Sequence, residues 1–210
     1  TQYVAHALKN DLNKIDWCAA LLDERLPENR ELQIIRGSVD HLRALLQRTR
    51  MHTGRVVLNP GDCDVRALFE QIIRETPHTD ALRIEIDRCD DAPLYCDPSH
   101  VREALTNLVG NAVEAMRGSG RITLSYVRTA HKASVSVCDD GPGMTPAAQK
   151  RIFEPYYTTK TSGENFGLGL YYCQNVMNVH EGSIRVSSAP GKGCTFTLIF
   201  PLAAQGRRKP

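Results

Sequence analysis

The sequence predicts the α+β class: an N-terminal two-helix hairpin that becomes a four-helix bundle in a dimer, followed by an α/β sandwich. Three observations predict it. Apolar residues recur at helical spacing through the first quarter of the chain. After Asn59-Pro60-Gly61 the pattern changes to short strands alternating with helices. A content of 41% hydrophobic and 24% charged residues over 210 positions is a globular balance rather than a disordered one.

The first helix is read from Val4, Leu8, Leu12, Ile15, Ala19 and Leu22, a single apolar stripe with polar residues between. Pro27-Glu28-Asn29 interrupts it, and a second stripe runs through Leu32, Ile35, Val39, Leu42 and Leu46 to end near Gly54. Two helices alone bury too little apolar surface, so a second copy is expected to complete a homodimeric bundle. The expected domains are 1–54 for the hairpin, 55–202 for the sandwich and 203–210 for a basic tail carrying Arg207-Arg208-Lys209. Within the sandwich, helices are predicted over Val65–Glu75, Pro98–Met116, Pro146–Phe153 and Gly167–His180. Strands are predicted over Leu82–Ile86, Arg121–Val127, Ala133–Cys138, Ser183–Ser187 and Thr195–Phe200, as a mixed sheet with helices on one side.

Charge and cysteine usage remove several function classes. A net charge of +2 gathers no basic face of the kind that grips nucleic acid, so no nucleic-acid partner is expected. The seven cysteines, Cys18, Cys63, Cys89, Cys96, Cys138, Cys173 and Cys194, are an odd set without a C-x-x-C pair, which argues against a disulfide framework and a zinc knuckle. A reducing, cytoplasmic setting is the expectation. No apolar run approaches the roughly 20 residues of a membrane helix, so no membrane contact by this segment is expected. Beginning at Thr1 and entering an amphipathic helix at once, the chain reads as a piece of a longer protein, and the membrane attachment of that protein is not encoded in it.

Four motifs carry chemistry. Asn107 and Asn111, four apart on a predicted helix, project from one face, where paired amides can orient phosphate oxygens and a metal. Mg²⁺ favours oxygen ligands and keeps several waters, so one amide carbonyl plus nucleotide phosphates makes a reasonable shell. Asp139-Asp140-Gly141-Pro142-Gly143 follows directly on a strand; its glycines let backbone approach a flat ring, and a carboxylate there accepts a hydrogen bond from an exocyclic amine. Gly167-Leu168-Gly169-Leu170 opens a helix whose free N–H groups suit an anion, with Thr158, Thr159 and Lys160 just upstream. The connection over about 154–166 is longer than a loop needs, as for a mobile lid. Gly191-Lys192-Gly193 separates two strands and reads as a hairpin turn or a further part of the site.

In this order and spacing, the series Asn107 to Glu114, Asp139 to Gly143, Phe153 to Lys160, Gly167 to Leu170 and Gly191 to Phe196 resembles the boxes of the histidine-kinase ATP-binding domain. That family shares its superfamily with type II topoisomerases, heat-shock chaperones and mismatch-repair ATPases. The resemblance implies a left-handed, Bergerat-type sandwich over about 60–202 that binds ATP and Mg²⁺, with Asn111 on the metal and Asp139 on the adenine amine. It further implies nucleotide contacts from Asn107, Gly141, Gly143, Thr159, Lys160, Gly167, Leu168, Gly169 and Thr195, with Lys160 also acting on the terminal phosphate.

His6-Ala7-Leu8-Lys9-Asn10-Asp11-Leu12 resembles the phosphoacceptor box of the same family, which places His6 as the acceptor. An imidazole neutral near pH 7 can attack the γ-phosphorus in line. The resemblance then implies an ATP-dependent protein-histidine kinase of the two-component type. It would pass the phosphoryl group from His6 to an aspartate on the receiver domain of a response regulator. Asn10, one turn on, matches the residue that in relatives holds a hydrolytic water, which implies a phosphatase activity toward that regulator. Ala7 stands where many relatives place Glu or Asp as the base, and Asp11 where proline is common, so the base is unassigned and the helix is expected to run straight. Two other readings stay open: a nucleotide-binding switch of the same superfamily whose hairpin only dimerises, and a serine kinase sharing the nucleotide boxes but lacking the His6-to-Asn10 motif.

Overall fold

The computed structural model describes residues 15, 29, 32, 39, 58–77, 80–158 and 167–202. The chain divides into two compact units, Thr1–Val56 and Val57–Pro210. In the first unit Ile15, Leu32 and Val39 are helical. The Asn29 side chain accepts the Leu32 amide at 3.0 Å, the bond an N-cap makes three residues on, so the second stripe starts where the sequence places it. Leu32 and Val39 are buried, whereas Ile15 is 45% exposed in the single chain although it belongs to the apolar stripe. His6, Ala7, Asn10 and Asp11 lie outside the described residues.

The second unit runs β1 (Gly61–Cys63), α1 (Val65–Glu75), β2 (Leu82–Cys89), β3 (Leu94–Cys96), α2 (Pro98–Ala115), β4 (Gly120–Arg128) and β5 (Lys132–Asp139). It continues with α3 (Pro146–Arg151), α4 (Gly169–Val179), β6 (Ser183–Ser188) and β7 (Cys194–Pro201). Five strands form one sheet in the order β2-β4-β5-β7-β6, with β2 and β4 parallel and the remaining neighbours antiparallel; β1 and β3 form a separate antiparallel ribbon.

Alternation decides which face is core. Along β5, Ala133, Val135, Val137 and Asp139 are buried while Ser134, Ser136 and Cys138 are half-buried; along β7, Cys194, Phe196, Leu198 and Phe200 repeat the pattern. The antiparallel register pairs Val135 with Leu198, Val137 with Phe196 and Asp139 with Cys194, so the two strands share one apolar face that ends at a carboxylate. Helices cover that face: α1 packs on β2, α2 on β5, and α4 on β6, β7 and α2. The α2 residues Val101, Ala104, Leu105, Leu108, Val109 and Ala112 form its buried stripe, which leaves Asn107 and Asn111 half-buried beside it.

Helix starts follow from cap chemistry. Asp64 accepts the Ala67 amide at the head of α1, Thr145 the Ala148 amide at the head of α3, and Asp97 the Ser99 and His100 amides at the head of α2. Pro146 and Pro98 occupy the first helical turn, where a missing N–H costs nothing.

The predicted mixed sheet with helices on one side is what forms. The ribbon of β1 and β3 was not expected, because three residues show no period to read. β2 extends to Cys89, past an irregularity between Ile86 and Arg88 that breaks its alternation. Helix α4 starts at Gly169 rather than Gly167, since Gly167 adopts φ +66° and cannot be helical.

Candidate functional site

The site grows from the end of β5. Asp139 is the last residue of that strand and is 7% exposed, one of two buried charged side chains among the described residues. Its Oδ1 accepts the Gly141 amide at 3.0 Å. Burial pushes the Asp139 carboxyl up and the Asp140 charge adds to this, while hydrogen bonds from the Gly141 and Cys194 backbone hold it down; the balance lies above the ordinary value. A carboxylate placed so is a strong acceptor with little solvent to compete. Asp140, by contrast, closes the neighbouring strand, its Oδ1 accepting the Arg121 amide at 2.8 Å.

The glycines after Asp139 are needed for a close backbone approach. Gly143 has φ +67° and Gly193 φ +69°; a Cβ on Gly143 would strike the Ala189 carbonyl, and one on Gly193 the Asp139 carbonyl. Two backbone bonds lock the loops, Gly193 N to Gly141 O at 3.0 Å and Gly191 N to Pro142 O at 2.7 Å. Ser188 reinforces them, accepting the Met144 amide at 2.8 Å and donating to Gly193 O at 2.7 Å. The Gly191–Gly193 turn is thus a strap that holds the Asp139 loop in place. Met116, just past α2, lies against both Gly120 and Gly141 and closes the loop from the helix side.

The second half of the site is the meeting of α2 and α4. Helix α4 begins without a side-chain cap, so its first amides are available to an anion. A Cβ on Gly169 would lie 3.4 Å from Asn107 Oδ1, which puts the uncapped turn directly on the asparagine helix. Deeper along the same seam, the Tyr172 hydroxyl donates to Glu103 Oε2 at 2.7 Å and meets His100 Nδ1 at 3.0 Å, and Cys173 Sγ donates to Ala104 O at 3.5 Å. Burial first, then the Glu103 hydrogen bond and charge, push the Tyr172 hydroxyl far up, so it stays a donor. Just before the start of α4, Tyr156 N donates to Gly167 O at 3.1 Å, and a Cβ on Gly167 would strike the Tyr157 carbonyl. Residues 156–157 and 167 are therefore pinned together, which fixes the two ends of the connection read as a lid.

The structure places the sequence-derived residues as follows. Asp139, Gly141 and Gly143 share one locked loop, and Asn107 meets Gly169 at the start of α4, beside Gly167 and Leu168. Asn111 lies one turn along α2 from Asn107, half-buried. Thr159 and Lys160 lie outside the described residues. Thr195 is not brought to the Asp139 face: it pairs with Cys138 on the opposite parity, and the residue opposite Asp139 is Cys194. Burial, followed by the Asp139 charge, pushes the Cys194 thiol up to about 12, so it stands protonated beside the carboxylate. The period of two along 194–200 carries that signal, since Cys194 shares its parity with Phe196, Leu198 and Phe200. Asp97 and Tyr172 were also missed; an Asp before Pro at a helix start marks the first, and nothing in the sequence marks the second.

A sandwich whose apolar sheet face ends in a buried carboxylate, flanked by a glycine-lined loop and an uncapped helix N-terminus, is a nucleotide-binding class of domain. Residues 96–204, more than half of the chain, match the family described as histidine kinase-, DNA gyrase B- and HSP90-like ATPase, and the chain belongs to that family. It is 31% identical to the signal transduction histidine-protein kinase AtoS of Escherichia coli over 98% of this chain and 35% of the relative. It is 30% identical to the sensor histidine kinase ZraS of the same organism over 95% of this chain and 44% of the relative. The chain thus spans less than half the length of these relatives. Among solved structures, full-length ShkA in complex with AMPPNP superposes with a TM-score of 0.80 at 25% identity, covering 95% of this chain and 45% of that one. The catalytic domain of histidine kinase ThkA superposes with a TM-score of 0.59 at 25% identity, over 69% of this chain and 98% of that one. The mixed α+β architecture matches these histidine kinase structures.

Proposed function

We propose that this chain is the catalytic core of a two-component sensor histidine kinase, which binds ATP, transfers its γ-phosphoryl group to His6 and passes it to an aspartate of a receiver domain. The observation that carries the reading is the corner where Asp139, buried and held by the Gly141 amide, closes one end of a site whose other end is the uncapped start of α4 on Asn107. The carboxylate accepts the adenine amine, and the free amides of α4 take phosphate oxygens. Lys160 and Thr159, between the pinned ends at 157 and 167, are placed in the chain to add charge and a hydroxyl to the phosphates.

Among the described residues no group of three His, Cys, Asp or Glu side chains could cage a metal. Mg²⁺ would be held by one amide carbonyl together with substrate phosphates and waters, and Asn111, one turn along α2 from Asn107, would supply that carbonyl. The ion would neutralise charge developing on the phosphates. Transfer forms a P–N bond to the His6 ring and breaks the bond from the γ-phosphorus to the bridging oxygen; ADP leaves and the ring proton is released. Asn10 is proposed to position water for hydrolysis of the regulator's acyl phosphate. A homodimer would cover Ile15, which a single chain leaves 45% exposed. Among the described residues no helix is long and apolar enough to cross a membrane.

The test is nucleotide binding measured alongside γ-phosphate labelling. ATP binding with acid-labile, alkali-stable label on His6 is expected. Nucleotide binding with no phosphohistidine under any condition would favour the switch reading, which Ala7 beside His6 keeps in play.

A further inference from the structure

Helices α2 and α4 meet along a seam with two polar rungs. Glu103 and Asn107 are four apart on α2, and Gly169 and Tyr172 three apart on α4, so each pair shares one face of its helix. At one rung a Cβ on Gly169 would lie 3.4 Å from Asn107 Oδ1; at the other the Tyr172 hydroxyl donates to Glu103 Oε2 at 2.7 Å. The rungs run in opposite chain directions, so the helices are antiparallel here, and they stand about one helical turn apart, roughly 5 Å.

Most of the seam does little to fix how far α4 sits along α2. Val176 and Met177 are held by apolar packing, which is non-directional. Cys173 Sγ donates to Ala104 O at 3.5 Å, and a thiol is a weak donor. The Tyr172 bond is different: it is short, ends on a carboxylate and depends on distance and angle, so it favours one register. It is also oriented from behind. Because the single Tyr172 proton goes to Glu103, the hydroxyl oxygen accepts from His100 Nδ1 at 3.0 Å. The His100 backbone amide in turn donates to Asp97 Oδ1 at 3.1 Å, which joins this chain of bonds to the cap of α2.

We propose that Tyr172 is a positioning residue for the nucleotide's phosphates: its bond to Glu103 sets the register of α4 on α2 and so keeps the free amides at the start of α4 beside Asn107. The proposal rests on the nucleotide-binding reading above and adds to it the residue that holds the phosphate end. The adenine end has separate support, since Asp139 accepts the Gly141 amide and the Gly193 strap bonds to that same loop. Only the phosphate end should therefore respond to Tyr172. Without the bond α4 samples neighbouring registers, and the apparent dissociation constant rises by the inverse of the fraction that stays in place.

The experiment measures ADP and adenosine binding to the full chain with Mg²⁺ present, ADP by titration calorimetry and adenosine by chemical-shift titration. Adenosine has no phosphates and reads the Asp139 end alone. Tyr172→Phe should weaken ADP about tenfold, the effect of losing a hydrogen bond to a charged partner, and leave adenosine within about twofold. Glu103→Leu should do the same, and the double variant should be no weaker than either single one, because both remove one bond. Glu103→Gln keeps an acceptor for the hydroxyl and should recover most of the affinity. Equal loss of ADP and adenosine affinity would show a general loosening of the fold and overturn the positioning role, and so would unchanged ADP affinity in Tyr172→Phe beside a wild type that binds it. Wild-type protein that binds neither ligand would overturn the nucleotide reading and this proposal with it.

Discussion

Replacing Gly193 by alanine tests the locked loop at the centre of the site. Two costs act at this position. The residue has φ +69°, which an L side chain adopts at about 1–2 kcal/mol. Its Cβ would also drive into the Asp139 carbonyl, backbone held in the sheet, and forced overpacking of that kind costs about 1–3 kcal/mol. Gly191 is the internal control. Its φ of +72° carries the same conformational cost, yet a Cβ there meets nothing within 4 Å. Gly191→Ala should therefore lose about 1–2 kcal/mol, and Gly193→Ala a further 1–3 kcal/mol, on the order of 5 °C between the two melting midpoints. Nucleotide affinity should separate them as well. Relief of the clash has to move the end of β5, and with it the Asp139 carboxylate, so Gly193→Ala should bind ATP at least about tenfold more weakly while Gly191→Ala stays near wild type. Differential scanning calorimetry and titration calorimetry read both quantities. Equal midpoints and equal affinities for the two variants would show that the turn is not a strap and that Asp139 is positioned by something else.

Three other outcomes are expected. Asp139→Asn should weaken ATP binding by about 10–100-fold, as loss of a hydrogen bond to a charged acceptor implies, with competition binding as the assay. Because burial raises the Asp139 pKa, the ionised group costs the nucleotide-free fold stability above that pKa and returns it as pH falls through it; ATP affinity moves the opposite way, declining at a pH above that of an ordinary carboxylate, and Asp139→Asn should abolish both trends. For Asp97, burial raises the carboxyl, but hydrogen bonds from Ser99, Asn59 and His100 outweigh it and hold it at about 2. Its contribution of about 2 kcal/mol is present above the ordinary 3.8 and lost as pH falls toward 2, so Asp97→Ala should lower stability by about that amount at pH 7 and flatten the acid limb of a stability–pH profile. Tyr172→Phe removes the donor to Glu103 and should cost about 1–2 kcal/mol, seen in chemical denaturation.

What could be read from the sequence follows the length of the signal. Long periodic elements such as α2, β4, β5 and β7 were legible because their alternation or helical stripe repeats several times, and Asp139 was legible as the carboxylate that ends such a run. The ribbon strands were not, because a Gly-Asp-Cys triplet and a Leu-Tyr-Cys triplet contain no repeat. Thr195 enters the expected site with the Gly191–Phe196 series as a whole, whereas parity along β7 decides that Cys194 is the residue facing Asp139. The Tyr172–Glu103–His100 contacts join α2 and α4 across some seventy residues of chain, and no local pattern encodes that pairing. The Gly191–Gly193 turn is legible as a turn and as part of the resemblance, but its bonds to the Asp139 loop are not, since its partners, Gly141 and Pro142, come from another loop.

The most direct test of the account is incubation of the full chain with γ-phosphate-labelled ATP and Mg²⁺, beside His6→Gln and Asn111→Asp. The wild-type protein should take up label that is stable in alkali and lost in acid. His6→Gln should take up none while binding ATP normally, and Asn111→Asp should lose label through its altered ligand for the metal. Label retained in His6→Gln, with the same acid lability, would contradict the assignment of His6 as the phosphoryl acceptor.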